Sequence, residues 1–128
     1  MHAQRRVLQA IETDFKKAGL PPLGWYDVLW ELVQAEGGRL RPFEIEASTL
    51  LAQYNLSRLI DRLEGQGLVR REAFDDDGRG RWVVVTSEGS AMRARMWQVY
   101  SRSIDAHVGA KLAGDEAQEL ARLLGKLR

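Results

Sequence analysis

The stretch that decides the fold runs from Leu50 to Thr86 and reads LLAQYNLSRLIDRLEGQGLVRREAFDDDGRGRWVVVT. Its first part has the pattern of a helix. Leu56, Leu59, Ile60 and Leu63 recur at i, i+3, i+4 and i+7, an apolar stripe that needs a core to lie on. At about 100° per residue, the opposite face carries Tyr54, Arg58 and Asp61, flanked by Gln53, Ser57 and Arg62. Apart from the Asp61 carboxylate, which only accepts, these side chains can donate to phosphates and to base edges. Gly65 and Gly67 stop the helix, since glycine accepts the left-handed conformation in which helices close. Val69 and then the Val83-Val84-Val85 run read as strands, the second returning antiparallel to the first. Between them, Asp75-Asp76-Asp77-Gly78-Arg79-Gly80 is a hairpin tip with cations on its far side.

A polar-faced helix beside an arginine-tipped hairpin is the pattern of a winged helix-turn-helix. That arrangement lays a helix in the major groove of a duplex and sets an arginine beside or in the minor groove. The expected fold class is therefore mainly α (α+β).

At 128 residues the chain is one domain by length, with enough material for a core. It contains no cysteine, which excludes disulfides, thiolate metal sites and thiol-based redox sensing. No apolar run approaches the ~20 residues that a membrane span needs, and the first residues lack a signal-peptide pattern, so a soluble cytoplasmic protein with no membrane partner is expected. The net charge is only +1, far from the strongly basic body often associated with nucleic-acid binding. Phosphate contacts depend on local charge, however, so a patch on a neutral protein suffices. His2 and His107 are too few and too far apart for a metal site. No nucleophile with a base, carboxylate pair or phosphate-cradling loop stands out, so no cofactor, no metal and no catalysis are expected.

Taken in order, the chain opens with Val7, Leu8, Ile11, Phe15 and Ala18 on one helical stripe, closed by Gly19 and Pro21-Pro22. From Trp25 to Glu36 a second helix has Trp25, Val28, Leu29, Leu32 and Val33 as its buried face, with Tyr26 and Trp30 together on an adjoining one. Gly37-Gly38 ends it. Leu40-Arg41 reads as a short strand pairing with the wing. Pro42 suits the first turn of the next helix, with Glu44 near its positive end and Phe43, Ile45 and Ala47 as apolar groups before a turn at Ser48-Thr49. Thr86 is an N-cap with Glu88 in the first turn of a long helix reaching about Ala110. On it, Met92, Met96 and Val99 form one stripe and Trp97, Tyr100, Ile104 and Val108 another. A last helix opens at Asp115-Glu116 and carries Ala117, Leu120, Leu123, Leu124 and Leu127. The winged helix-turn-helix thus occupies about residues 24–86 of one domain, 1–128, with helices at about 3–18 and 87–128 on either side. Those outer helices hold more apolar surface than one small domain needs, which a homodimer explains. Two reading helices about 34 Å apart would meet successive major grooves of a palindromic operator.

The chain resembles the MarR family of bacterial transcriptional regulators. LSRLIDRLEGQGLVRRE is similar to that family's recognition helix running into the wing, and DGRGRWVVVTSEG to its Asp-x-Arg wing, strand and threonine-led helix. Leu50-Leu51-Ala52 departs from the Ser, Thr or Asp with which members often open the recognition helix. The resemblance implies a dimeric regulator, usually a repressor, whose affinity for double-stranded DNA often falls when a small, frequently aromatic or phenolic, ligand binds between its DNA-binding and dimerisation regions. It carries the family's Ser/Thr-Arg pair onto Ser57 and Arg58, and the wing's Asp-x-Arg onto Asp77 and Arg79, the acid steadying the arginine.

The candidate DNA-contacting residues are Gln53, Tyr54, Ser57, Arg58, Arg62, Asp77, Arg79 and Arg81, against the plainer reading of a solvated helix face and loop. Arg81 shares a strand face with Arg79. Asp61 reads as an internal partner for Arg58, Arg62 or a wing arginine, and Arg70 and Arg71 as ordinary strand charges. Trp25, Tyr26 and Trp30 read first as core packing and second as walls for a planar ligand. Two functions from other classes stay open beside DNA reading. One is a winged-helix protein-interaction module, and the other a small-molecule-binding protein without direct DNA readout.

Overall fold

The computed structural model describes residues 2–49, 53–73, 80–108 and 114–127. In chain order the elements are α1 (His2–Lys17), α2 (Leu23–Gln34), a 3-10 turn (Glu36–Gly38), β1 (Arg39–Leu40), α3 (Pro42–Thr49), α4 (Gln53–Gly65), β2 (Val69–Ala73), β3 (Arg81–Val85), α5 (Ser87–Val108) and α6 (Gly114–Leu127). The strands form an antiparallel sheet in the order β1-β3-β2. The molecule is thus mainly helical with a small sheet, a winged helix-turn-helix as expected. Contacts divide it into two compact units, one of Asp27–Arg93 and one of Met1–Tyr26 with Ala94–Arg128.

The unit of Asp27–Arg93 buries Val28, Leu29 and Leu32 of α2, Ile45 of α3, Leu56, Ile60 and Leu63 of α4, and Leu68, Val69, Val83 and Val84 around the sheet. Periodicity 3.6 on the helices and the alternation of the strands deliver these residues to one core. Two expectations shift here. The short strand is Arg39–Leu40, one residue earlier than Leu40-Arg41, because Arg39 pairs with Val84 and Leu40 with Val83. Phe43 points outward at 64% exposure, since Ile45 and Thr49 are the α3 residues that turn inward.

Local chemistry sets the joints of this unit. Glu44 Oε1 accepts the Arg41 N–H at 2.8 Å at the start of α3, the N-terminal carboxylate position that the helix dipole favours. At the end of α4, the Leu68 N–H reaches the Leu63 carbonyl at 2.9 Å and the Gly67 N–H reaches that of Glu64 at 3.0 Å. That double closure needs a left-handed residue, and Gly67 supplies it with φ of 74°. Gly65, also expected to stop the helix, is its last helical residue instead. Thr86 caps α5 as its sequence predicts: Oγ1 accepts the Gly89 N–H at 3.0 Å and donates to the Gly67 carbonyl at 2.7 Å.

In the other unit, Ile11 and Phe15 of α1, Leu23 and Tyr26 of α2, Met96, Tyr100 and Ile104 of α5, and Ala121 and Leu124 of α6 are buried. Tyr26, expected on a face beside the buried one, is wholly covered, while Trp25 is half-buried; Val33, in the Asp27–Arg93 unit, is also only half-buried. The reason is that α2 begins at Leu23, and Tyr26 follows Leu23 at i+3 on the stripe that meets Tyr100 and Trp97. Asp14 of α1 accepts the Ser103 hydroxyl at 2.6 Å and lies 2.9 Å from His107 Nε2. These bonds to Ser103 and His107 hold the Asp14 carboxyl below the usual carboxylate range, against the opposing effect of burial.

Two outcomes follow from these joints. A Cβ added at Gly89 would lie 2.0 Å from the Leu68 carbonyl oxygen and 2.8 Å from Val85 Cγ2. Alanine is favoured over glycine in a helix by about 1 kcal/mol, but this collision is with backbone, so Gly89→Ala is expected to destabilise by roughly 1–3 kcal/mol in denaturant melts. A melt at or above the parent midpoint would contradict that packing. For Asp14, the folded carboxyl sits below its unfolded value. Its contribution is therefore present above the ordinary carboxylate range and is lost as pH falls through the lowered value. Melting temperatures measured downward from about pH 4 are expected to fall less steeply in Asp14→Asn than in the parent. Parallel acid limbs would rule the assignment out.

Candidate nucleic-acid interface

The site is built on α4. Leu56, Ile60 and Leu63 are buried and Leu59 half-buried, so the rotation of the helix about its axis is set by its apolar stripe. The same rotation sends Ser57, Arg58, Asp61 and Arg62 outward, all four exposed. Gln53 and Tyr54 open the helix, but their side chains lie outside the described residues. At 13 residues, α4 is about 20 Å long, enough to cross a major groove about 12 Å wide.

Behind α4, α3 supplies Ile45 and Thr49 to the shared core, and the Thr49 hydroxyl donates to the Ile45 carbonyl at 2.8 Å. The wing follows from β2 and β3, paired from Val69↔Val85 to Ala73↔Arg81. Arg81 therefore stands exposed at the end of the ladder nearest the connecting loop. Asp77 and Arg79, the proposed tip residues, lie outside the described residues.

Two carboxylates of α4 are spoken for, and their shared partner is on the wing. Arg71 of β2 reaches Asp61 Oδ1 at 2.7 Å through Nη2 and Glu64 Oε1 at 2.6 Å through Nη1. Its own backbone N–H donates to Glu64 Oε2 at 3.2 Å. Burial disfavours the charged guanidinium, but the bonds to Asp61 and Glu64 outweigh it and the Arg71 pKa moves up. Asp61 is thus paired internally with a strand arginine, and Arg71 is not the ordinary solvated strand charge that its sequence position implied. Arg70, on the opposite face of β2, pairs with Glu72 at 2.6 Å.

The outer face of the sheet carries a cluster that sequence reading did not pick out. The guanidinium carbons of Arg39 and Arg41 lie 4.4 and 5.0 Å from the Trp82 ring centroid. An open cleft of about 660 Å³ borders it, lined by Arg39, Arg70, Glu36, Glu44, Glu72 and Trp82 among others. Three glutamates and two arginines line it, so the cleft has a slight excess of negative charge and is no cradle for phosphate. The signal was an Arg-x-Arg pair, but only the register of β1 against β3 places it beside Trp82.

The three aromatic candidates are placed as follows. Tyr26 is 2% exposed, stacked on Trp97 with centroids 6.2 Å apart, edge-on to Tyr100 at 5.2 Å, and its hydroxyl accepts from Gln118 Nε2 at 3.2 Å. Trp25 is half-buried, and so is Trp30, whose ring has the Arg93 guanidinium carbon 5.4 Å from its centroid. Among the described residues no group of three or more His, Cys, Asp or Glu could hold a metal ion, and no helix is long and apolar enough to cross a membrane.

Against known proteins, residues 18–80 match the sequence profile described as the MarR family. The HTH-type transcriptional regulator PrsX of Escherichia coli is 33% identical over 101 residues, which cover 79% of this chain and 60% of PrsX. The chain therefore spans about three fifths of that relative's length. Among solved structures, AbsC, a MarR family transcriptional regulator from Streptomyces coelicolor, superposes with a TM-score of 0.77 at 29% identity, covering 96% of this chain and 82% of AbsC. Sco3205 of the same organism, solved in complex with DNA, shares the fold at a TM-score of 0.79 and 24% identity, over 96% of this chain and 77% of its own. Profile, relative and architecture agree, and the chain belongs to the MarR family of winged helix-turn-helix transcriptional regulators.

Proposed function

We propose that this chain is a sequence-specific double-stranded DNA-binding regulator, acting in the cytoplasm as a homodimer and as a repressor that a small, aromatic or phenolic ligand releases. The observation that carries the proposal is the division of α4, with Leu56, Ile60 and Leu63 buried and Ser57, Arg58 and Arg62 exposed. In a major groove, Arg58 would take the bidentate role that guanidinium plays on guanine, with Ser57, Gln53 and Tyr54 as its neighbours on bases or phosphates. Arg62, one turn on, and Arg81, at the base of the wing, would meet phosphate. Arg79, the arginine of the family's Asp-x-Arg pattern with Asp77, would be the minor-groove contact.

The helices at about 3–18 and 87–128 form the dimerisation region of this reading. Leu123 of α6, 44% exposed in the single chain, is one apolar group that a partner would cover. Two copies then hold their α4 helices one duplex turn apart, about 34 Å. A ligand that prefers the dimer with the wrong spacing shifts the population away from DNA, by no more than its differential affinity for the two forms. Trp25 and Trp30, each half-buried in its own unit, are each taken singly as candidates for contact with a planar ligand, whereas Tyr26 would have to leave its place among Trp97, Tyr100 and Gln118.

The near-neutral charge favours a second reading, a winged helix that binds protein, and salt separates the two. DNA affinity is expected to fall steeply as salt rises, by counterion release, while an apolar protein contact would not. In band shifts on the DNA upstream of its own gene, Arg58→Ala is expected to cost roughly 1–3 kcal/mol and to relax sequence preference, and Arg79→Ala to weaken binding as well. If both variants bound as tightly as the parent, α4 and the wing would not be the reading surface. Sedimentation showing only monomers, with or without duplex, would remove the homodimer.

A further inference from the structure

Of the exposed residues on α4, two are carboxylates, and both are held by the same arginine. Asp61 follows Arg58 by three residues and so stands within about 60° of it around the helix; Glu64, three residues further on, stands about 120° from Arg58, at the edge of the outward face. Asp61 is 64% exposed and Glu64 40%, against 22% for Arg71. Left to themselves, Asp61 would stand between Arg58 and Arg62 along the helix on a surface that meets phosphate, and Glu64 would stand at its edge. Arg71 does not leave them so: Nη2 takes Asp61 at 2.7 Å, Nη1 takes Glu64 at 2.6 Å, and the Arg71 N–H adds a third bond to Glu64 at 3.2 Å. β2 is therefore tied to the flank of α4 by a planar fork whose two arms are both used.

We infer that Arg71 is a positioning and charge-masking residue for DNA binding, which draws the carboxylates of Asp61 and Glu64 toward the wing strand and away from the phosphates that Arg58 and Arg62 meet. The inference rests on the DNA-binding reading proposed above and assigns to it a residue that touches no DNA. Exposed ion pairs add little to stability, so a brace alone is a weak reason for three bonds at one guanidinium. Electrostatics at a phosphate surface is a stronger one, because an uncompensated carboxylate there repels at short range and is screened only beyond about 8–10 Å.

Masking and bracing make opposite predictions. Together Arg58, Arg62, Arg71, Asp61 and Glu64 carry a net charge of +1; Arg71→Met takes it to zero, Asp61→Asn with Glu64→Gln takes it to +3, and all three changes leave +2. Affinity for a mixed-sequence duplex, measured by fluorescence anisotropy across a salt titration, is expected to follow that order. Arg71→Met binds more weakly than the parent by roughly three- to tenfold at low salt, about what one phosphate-contacting cation contributes. The carboxylate double variant binds more tightly and with a steeper salt slope, and the triple variant binds at least as tightly as the parent. Thermal melts monitored by circular dichroism accompany each variant, and the exposed position of Asp61 and Glu64 keeps the double variant folded whatever happens to Arg71→Met. A brace without masking would weaken all three variants together, and that result overturns the inference while leaving the proposed function standing. A folded parent with no salt-dependent affinity for any duplex overturns the proposed function, and this inference with it.

Discussion

Everything at the candidate interface depends on where the apolar stripe of α4 goes. Burying Leu56, Ile60 and Leu63 is worth roughly 1.5–3 kcal/mol for each side chain, whereas each exposed ion pair to Arg71 is worth about 1 kcal/mol or less. Burial therefore sets the rotation of the helix, and the ion pairs adjust what is already turned outward. Because 3.6 residues make a turn, a stripe at 56, 60 and 63 leaves 57, 58, 61 and 62 outside with no further instruction. The polar face is a by-product of the apolar one.

The wing is bound to the same constraint. Leu68 and Val69, immediately after the turn that ends α4, are buried, as are Val83 and Val84 on the returning strand. Thr86 then joins three pieces with one hydroxyl, donating to the Gly67 carbonyl and accepting from the first turn of α5, while its N–H reaches the Leu68 carbonyl at 3.1 Å. A shift of β3 relative to α4 would break these bonds and open the core in the same movement. Interiors pack too densely to absorb that by degrees. The helix and the base of the hairpin are consequently placed as one piece, which fixes Arg58 and Arg62 of α4 relative to Arg81 of β3.

How much of this was legible in the chain follows from the range of each interaction. The Thr86 cap, the Glu44 carboxylate at a helix start and the stripe of α4 are all signalled within one or two turns, and local patterns carry them fully. Which of Gly65 and Gly67 turns left-handed is not local in the same sense, because either could close the helix until Leu68 has a place to go. The strand at Arg39–Leu40 was misplaced by a residue since only pairing with Val83 and Val84 defines it. Tyr26 shows the limit plainly. Its own helix gives a periodicity but no information on what lies opposite, and the rings that bury it are Trp97 and Tyr100, more than seventy residues away. The bond from Ser103 to Asp14 spans 89 residues and was invisible for the same reason. At the interface, residue types on α4 could be read from the stripe, but the partner of Asp61 could only be narrowed to a few arginines. Arg71 was chosen by the alternation of β2, which turns Arg71 toward α4 and Arg70 away toward Glu72.

A net charge of +1 looks at first like an argument against a nucleic-acid interface, yet the ion pairs redistribute it. Arg70 and Arg71 are drawn to the protein's own carboxylates, and Arg39 and Arg41 lean on Trp82 at the outer sheet face. Among the described residues, the arginines that remain turned outward on α4 and the strand beside the loop are Arg58, Arg62 and Arg81. Sequence-independent affinity for DNA grows with the number of phosphates neutralised. A surface with few cations therefore binds arbitrary duplex weakly, and a larger share of its affinity for a preferred site has to come from base edges and spacing. On the proposed reading, scarcity of charge is what makes position matter: a regulator held loosely everywhere else discriminates by a larger factor where its two helices fit.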